Sequence, residues 1–404
     1  MKTSRTAVLL LATGCLFFTG VATSSYSLFS SALQNDYQWS RAAATLPFTV
    51  AMIFWGVISP VTGKLLDDYG ARPVILTGIL TMALGFAVMG LARSMATLLL
   101  GYGVLVGLAY GASGMTVFSI LISKHYPPEL RARAVGFSQI ASPANPLLMA
   151  PLVYWLISGY NWHAAAFAIS ALLLLFAFPM AWLGARDPQD EAQSRVKRPG
   201  LKENLNFFLN PSLQRLMFAR FACGMGFFLI AHLLPLATSK GLSSSAGAAA
   251  VSVYGGSAVL GALLAGRAAD RYGRGRVLGL TYFIRGLGCL GLAFLVFNNW
   301  SFYLLVALAA GPIFGTITVN NVAIFEIVGP RAAGTILGLS FVLHQVAASI
   351  SPYLGGVLFD LSGTYQWFLV VLGLFNFCAG LLTYSVRTES RAAAPYQKAS
   401  SPNV

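Results

Sequence analysis

Two arginines stand where arginines are seldom found. Arg220 lies in the apolar run 213–238 and Arg285 in the run 277–297, and neither run contains an Asp or Glu. A guanidinium carries a fixed positive charge and a planar fork of N–H donors, which suits a carboxylate. Burying one in hydrocarbon costs at least about 2.5–3.5 kcal/mol, so it requires a partner. No acid occupies the middle of any apolar run, since Glu326 and Asp360 fall at run ends. An anionic substrate is the partner the sequence leaves open. The alternative is structural, with the guanidinium on backbone carbonyls or reaching toward the headgroups.

Further polar side chains are scattered through the apolar runs: Tyr26, Tyr110, Asn145, His232, Asn320, Asn321, His344 and Gln345. An unsatisfied amide or imidazole is costly in lipid, so these must face water or each other. Singly, each also fits as a tie between helices. As a set they suggest a polar path, with Arg220, Arg285, His344, Asn145, Tyr26, His232 and Asn320 as candidate substrate ligands. His344 or His232 can titrate near neutral pH if a proton is coupled. Pro143, Pro146 and Pro151 remove three amide donors around Asn145, which predicts a bend there.

Composition says what holds these residues. Hydrophobic residues make up 57% of the 404-residue chain and charged ones 9%, far too apolar for a soluble globular protein. Runs of about 20 apolar residues, each long enough to cross the bilayer, occur near 8–32, 43–66, 73–92, 97–122, 135–158, 163–184, 213–238, 245–267, 277–297, 301–327, 334–360 and 366–386. The start MKTSRTAVLLLATGC has the outline of a lipoprotein signal, but Ala12 stands where a larger aliphatic is usual, and the segment is expected to be the first span. Cys15, Cys223, Cys289 and Cys378 all fall in spans without metal-ligand spacing and read as small packers, with no metal site.

Alternate loops carry 21 Lys and Arg on one side, against Arg41, Arg93 and Lys240 on the other. By the positive-inside rule both termini are cytoplasmic. That topology accounts for the net charge of +14, which therefore does not indicate a nucleic-acid partner. No nucleophile–base spacing, phosphate loop or metal cluster appears, so no enzyme and no cofactor are expected; GYGVLVG at Gly101 to Gly107 reads as close helix packing.

The twelve residues GKLLDDYGARPV at Gly63 return as GRAADRYGRGRV at Gly266, half a chain later, and PELRARAVG at Pro128 has a weaker echo at Pro330. The polar segment 186–211 divides six spans from six. The expected domains are a bundle over 1–185, a linker over 186–211, a second bundle over 212–387 and a tail over 388–404. Equal orientation of the two motif copies makes the halves parallel repeats about an axis along the membrane normal.

At these residues the chain resembles the major facilitator superfamily, whose signature in this loop is Gly, three residues, Asp, then Gly and basic residues. The resemblance covers essentially the whole chain. It implies an all-α membrane protein of twelve transmembrane helices in two six-helix bundles, working by alternating access in the cell inner membrane, with one copy as the working unit. It also implies a cytoplasmic gate at Gly63, Asp67, Gly70, Arg72, Arg131 and Arg133 in the first half and Gly266, Asp270, Gly273 and Arg274 in the second. Asp68 replaces the usual basic residue after Asp67, leaving Arg72, Arg131 or Arg133 as positive partners.

NDYQWSRA at Asn35 to Ala42, HLLP at His232 and GGVLFDLSGTY at Gly355 to Tyr365 resemble the monocarboxylate porter and oxalate/formate antiporter branch. That implies a small organic anion as cargo, moved with a proton or exchanged for a counter-anion. One departure matters. Many members place an arginine in helix eight just after a glycine, whereas Gly261 here is followed by Ala262. Either Arg220 or Arg285 replaces it, or the substrate differs; efflux of hydrophobic or amphiphilic compounds is the alternative.

Overall fold

The computed structural model describes residues 4–187 and 207–386, without the side chains at positions 128, 129, 132, 330 and 331. Most of the linker expected at 186–211 and the tail at 388–404 lie outside the described residues. Twelve helices are long and apolar enough to cross a membrane. They are α1 Arg5–Tyr37, α2 Arg41–Tyr69, α3 Ala71–Gly90, α4 Met95–His125, α5 Arg133–Gly159, α6 Trp162–Gly184, α7 Pro211–Ser239, α8 Ser244–Tyr272, α9 Arg274–Phe294, α10 Asn299–Gly329, α11 Ala332–Ser362 and α12 Gln366–Tyr384. Six form each bundle.

Local sequence chemistry starts each helix. Along the face away from the motif loops, α2, α4, α6, α8 and α10 begin behind Ser40, Ser94, Asn161, Ser243 and Asn298, whose side chains accept from the first-turn amides. At the motif face α3, α9 and α11 follow glycines with positive φ, Gly70 at 80°, Gly273 at 93° and Gly329 at 73°. A side chain at those positions would be strained, which explains why the repeated motif carries glycine there.

Several spans are interrupted. Helical runs break in α1 at Gly20 and Ser25, in α4 at Gly114, and in α7 at Gly226. In α5 the break falls at Ile140 rather than at Asn145. The Pro143 ring opposes the carbonyl of Gln139, so the helix restarts at Ala141, and Pro146 and Pro151 are then carried inside it. The glycine run of α4 packs closely as expected: a Cβ on Gly101 would lie 2.9 Å from the Gly85 carbonyl oxygen, and one on Gly107 would lie 2.6 Å from that of Ala51. Three cysteines are buried, but Cys378 is exposed on α12.

The halves meet through α2 with α11, α5 with α8, and α1 with α7. Their named contacts run from mid-membrane to the face opposite the motif. At that face Asp360, ending α11, accepts from the amides of Arg41 at 2.9 Å and Ala42 at 3.0 Å, while Arg41 lies 4.2 Å over the Phe359 ring. A carboxylate of one half thus caps a helix of the other. Deeper, Phe48 faces Phe227, Trp55 faces Phe341, and Gln345 donates to the Met52 carbonyl at 3.4 Å. On the motif side, no ion pair or hydrogen bond joins the halves among the described residues, and the initial segment of α5 packs on α1 and α4 of its own half. Among the described residues, the polar ties between the halves thus lie at mid-membrane and at the face away from the motif.

The motif loops make their ion pairs within each half. Arg274 reaches Asp270 at 2.5 Å and Glu326 at 3.2 Å. In the first copy the expected pairing of Asp67 with Arg72, Arg131 or Arg133 is not formed among the described residues: Asp67, Arg131 and Arg133 are exposed, and Arg72 lies 4.3 Å over Trp182. Instead Asp187, just past α6, accepts from the Ala71 amide at 2.5 Å and from Lys124 Nζ at 2.8 Å. It caps α3 where Arg274 stands in the second copy. Asp187→Ala is expected to lower stability by about 1–2 kcal/mol, measured by thermal unfolding of the purified protein.

Candidate functional site

Arg220 follows the start of α7 by nine residues, about 14 Å, and Arg285 follows the start of α9 by eleven, about 16 Å. Both are buried, with 5% and 1% of their surface exposed. Eleven buried side-chain nitrogen and oxygen atoms lack a hydrogen-bond partner among the described residues, and seven belong to Arg220, Arg285, Asn320, Ser340 and His344. Unsatisfied polar atoms are therefore concentrated in one place, the facing sides of α7, α9, α10 and α11. Both arginines leave Nε and Nη1 free, and His344 leaves Nε2 free. The four free guanidinium nitrogens call for an acceptor-rich ligand, since a buried unpaired donor costs about 1–3 kcal/mol.

The helices are drawn together by close packing. Gly224 in α7 abuts the His344 carbonyl of α11 and the Ala347 methyl, so Arg220, one turn earlier, stands near the level of Ser340 and Phe341. Asn320 of α10 donates to the Leu216 carbonyl at 3.1 Å, leaving its own oxygen free. Tyr282 of α9 donates to the Ala219 carbonyl at 2.5 Å.

The two arginines differ. Although α9 packs chiefly on α10 and α12, the Arg285 side chain reaches inward to the break in α7, where a Cβ on Gly226 would lie 2.5 Å from its Nη2. The first segment of α7 ends at Met225, and the negative end of its dipole favours the Arg285 charge. Arg220 lies inside that segment and has no such compensation.

The remaining candidates are engaged elsewhere. Tyr26 donates to the Ala44 carbonyl at 2.7 Å with its ring against Phe48 and Tyr102, tying α1 to α2. Asn145 donates to the Phe17 carbonyl at 2.6 Å and accepts from Ser24, tying α5 to α1. His232 uses both ring nitrogens, on the Tyr365 hydroxyl and the Pro352 carbonyl, each at 2.8 Å. Ala262 is half-buried on α8. Tyr26→Phe is expected to lower thermal stability by about 1 kcal/mol while leaving substrate affinity unchanged, read by melting and by titration on the same preparation.

Sequence reasoning missed Ser340, Trp55 and Phe341. Ser340 lies one helical turn before His344, which was the available signal. Trp55 is the central residue of α2, whereas tryptophans in spans gather at the membrane interfaces. It borders an open cleft between α2 and α4, shared with Tyr110 and Gly63, whose lining includes no charged side chain.

The profile of the Major Facilitator Superfamily matches residues 11–255 and 216–402. An MFS-type transporter of Bacillus subtilis (strain 168), YcxA, is 25% identical over 87% of this chain and 87% of its own. Monocarboxylate transporter 11 of Mus musculus is 25% identical over 85% of this chain and 78% of its own, and a hexuronate transporter of Bacillus subtilis (strain 168) is 24% identical over 94% and 93%. The crystal structure of a D-xylose-proton symporter superposes with a TM-score of 0.79 at 16% identity, covering 96% of this chain and 98% of that one. Profile, twelve spans and paired motif loops agree: the chain belongs to the Major Facilitator Superfamily and is a multi-pass membrane transporter, not an enzyme.

Proposed function

We propose that the protein carries a small organic anion of the monocarboxylate kind by alternating access, as a proton symporter or an anion exchanger. The single observation that carries this reading is the cluster of unpaired buried donors around Arg220. Arg220 is the principal carboxylate ligand, Arg285 completes the positive end, and His344, Ser340 and Asn320 flank it. Tyr26, Asn145 and His232 hold the scaffold. The names of the monocarboxylate and hexuronate relatives are consistent with a carboxylate, the group these two cargo classes share.

The motif face is the cytoplasmic one on the Lys and Arg distribution, and the location of the inter-half hydrogen bonds away from it supports reading this as an inward-facing form. Outward opening then requires breaking the Asp360 cap and closing the motif loops. Residues 1–185 and 212–387 act as the rocking halves, joined by the linker between them.

The uncharged cleft at Trp55 favours a second reading, efflux of amphiphilic compounds. The two separate on binding. Saturating pyruvate is expected to raise the melting temperature of the purified protein, and the neutral pyruvamide is not. Equal stabilisation by both would remove the anion reading.

A further inference from the structure

We infer that the substrate is a carboxylate bearing a flat apolar body, such as an aryl-2-oxo acid, and not a hydroxylated sugar acid: its carboxylate meets the α7–α9–α11 donors while its ring lies against Trp55, Tyr110 and Phe341. This rests on the anion reading above and narrows it.

Three observations carry it. First, the aromatic wall is continuous with the charged cluster. Trp55 lies 4.5 Å from Tyr110 and, across the halves, 5.5 Å from Phe341, ring centre to ring centre; Phe341 stacks 6.3 Å from His344 and directly follows Ser340. Second, this wall is not sealed into a core. Trp55 and Phe341 are half-buried, and Trp55 borders the open cleft. The indole N–H of Trp55 makes no hydrogen bond among the described residues and is not among the buried unpaired atoms, which leaves it open to a ligand or to water. Third, the cleft has fewer spare donors than a sugar acid has hydroxyls: beyond the Trp55 N–H, only Tyr110 and Thr116 among its lining residues add hydroxyls besides Ser59 and Thr62. Ser59 donates to the Trp55 carbonyl at 2.7 Å and Thr62 to the Ile58 carbonyl at 3.1 Å, so these hydroxyl protons are already used on their own helix. A polyhydroxylated body entering here would regain only part of the hydrogen bonding it had in water, whereas an aryl ring gains contact with three others.

The test uses the full-length protein in lipid nanodiscs at neutral pH, titrated calorimetrically with phenylpyruvate, pyruvate and glucuronate. Phenylpyruvate and pyruvate share one head group and differ by a phenyl ring. Phenylpyruvate is expected to bind at least about tenfold more tightly than pyruvate, and glucuronate more weakly than either. Trp55→Ala should reduce the phenyl advantage, read as the ratio of the pyruvate and phenylpyruvate Kd values, to about threefold or less, and Trp55→Phe should retain most of it. Equal wild-type affinities for phenylpyruvate and pyruvate overturn the inference even if Trp55→Ala fails to fold, as does a phenyl advantage that survives in folded Trp55→Ala. If none of the three acids binds, or if Arg220→Gln leaves all three affinities unchanged, the anion reading itself falls and takes this inference with it.

Discussion

Arg220→Gln abolishes anion uptake and yields a protein that melts at a higher temperature in the absence of substrate. Both halves of this expectation come from the same imbalance. The Arg220 side chain is buried with Nε and Nη1 unpaired, and no Asp or Glu lies among its contacts in the described spans. A charge held in this way costs about 2.5–3.5 kcal/mol on insertion scales, and the shorter, neutral glutamine removes that charge at the smaller cost of one buried amide. Glutamine therefore relieves the empty protein. It also removes a charge-assisted pair with the carboxylate, worth about 1.5–3 kcal/mol, or roughly ten- to hundredfold in affinity. Melting curves and uptake measured on one preparation decide the matter. A purely structural Arg220 would give a lower melting temperature in the variant; unchanged uptake would remove it from the site.

Asp360→Asn shifts the protein toward the state open at the face away from the motif. Asp360 takes up two of the first amides of α2 across the halves, and Ser40 covers the amide of Ala43. When the halves separate at this face those two amides pass to water, so the carboxylate favours the sealed form by about 1–2 kcal/mol. Asparagine keeps one acceptor and loses the charge. With about half of that preference lost, the ratio of open to sealed forms is expected to rise by roughly two- to fivefold, since 1.4 kcal/mol is a factor of ten. Met52→Cys, in a background without the four native cysteines, reports on this. Met52 is buried below the seal, and an impermeant maleimide added on the side opposite the termini should label it faster in the Asp360→Asn variant. Equal labelling rates would mean that the cap does not hold the seal.

The spans, their number and the motif loops were legible because hydrocarbon imposes a simple length and polarity rule, and because glycines at positive φ punctuate the chain at Gly70, Gly273 and Gly329. The buried arginines stood out for the same reason. What could not be read were pairings between residues distant in sequence. The cap of α2 joins positions 319 residues apart, and Lys124 pairs with Asp187 beyond α6 while the motif acid Asp67 stays exposed. Nothing local to Tyr26, Asn145 or His232 reveals that neighbouring helices satisfy them, so polarity alone marked them as ligands alongside Arg220. Ser340 and Phe341 were passed over because a serine or phenylalanine in a span is unremarkable until its neighbours are known. The bend near Asn145 was placed a turn late because the Pro143 ring acts on the carbonyl four residues before it, not on its own position.

The most direct test of the central claim is accumulation of labelled pyruvate and labelled phenylpyruvate by proteoliposomes, under an imposed proton gradient and, separately, with counter-anion loaded inside. Saturable accumulation above that of empty liposomes in at least one of these conditions, lost in Arg220→Gln, is the predicted result. Accumulation no greater than in empty liposomes for both acids in both conditions would contradict carboxylate transport.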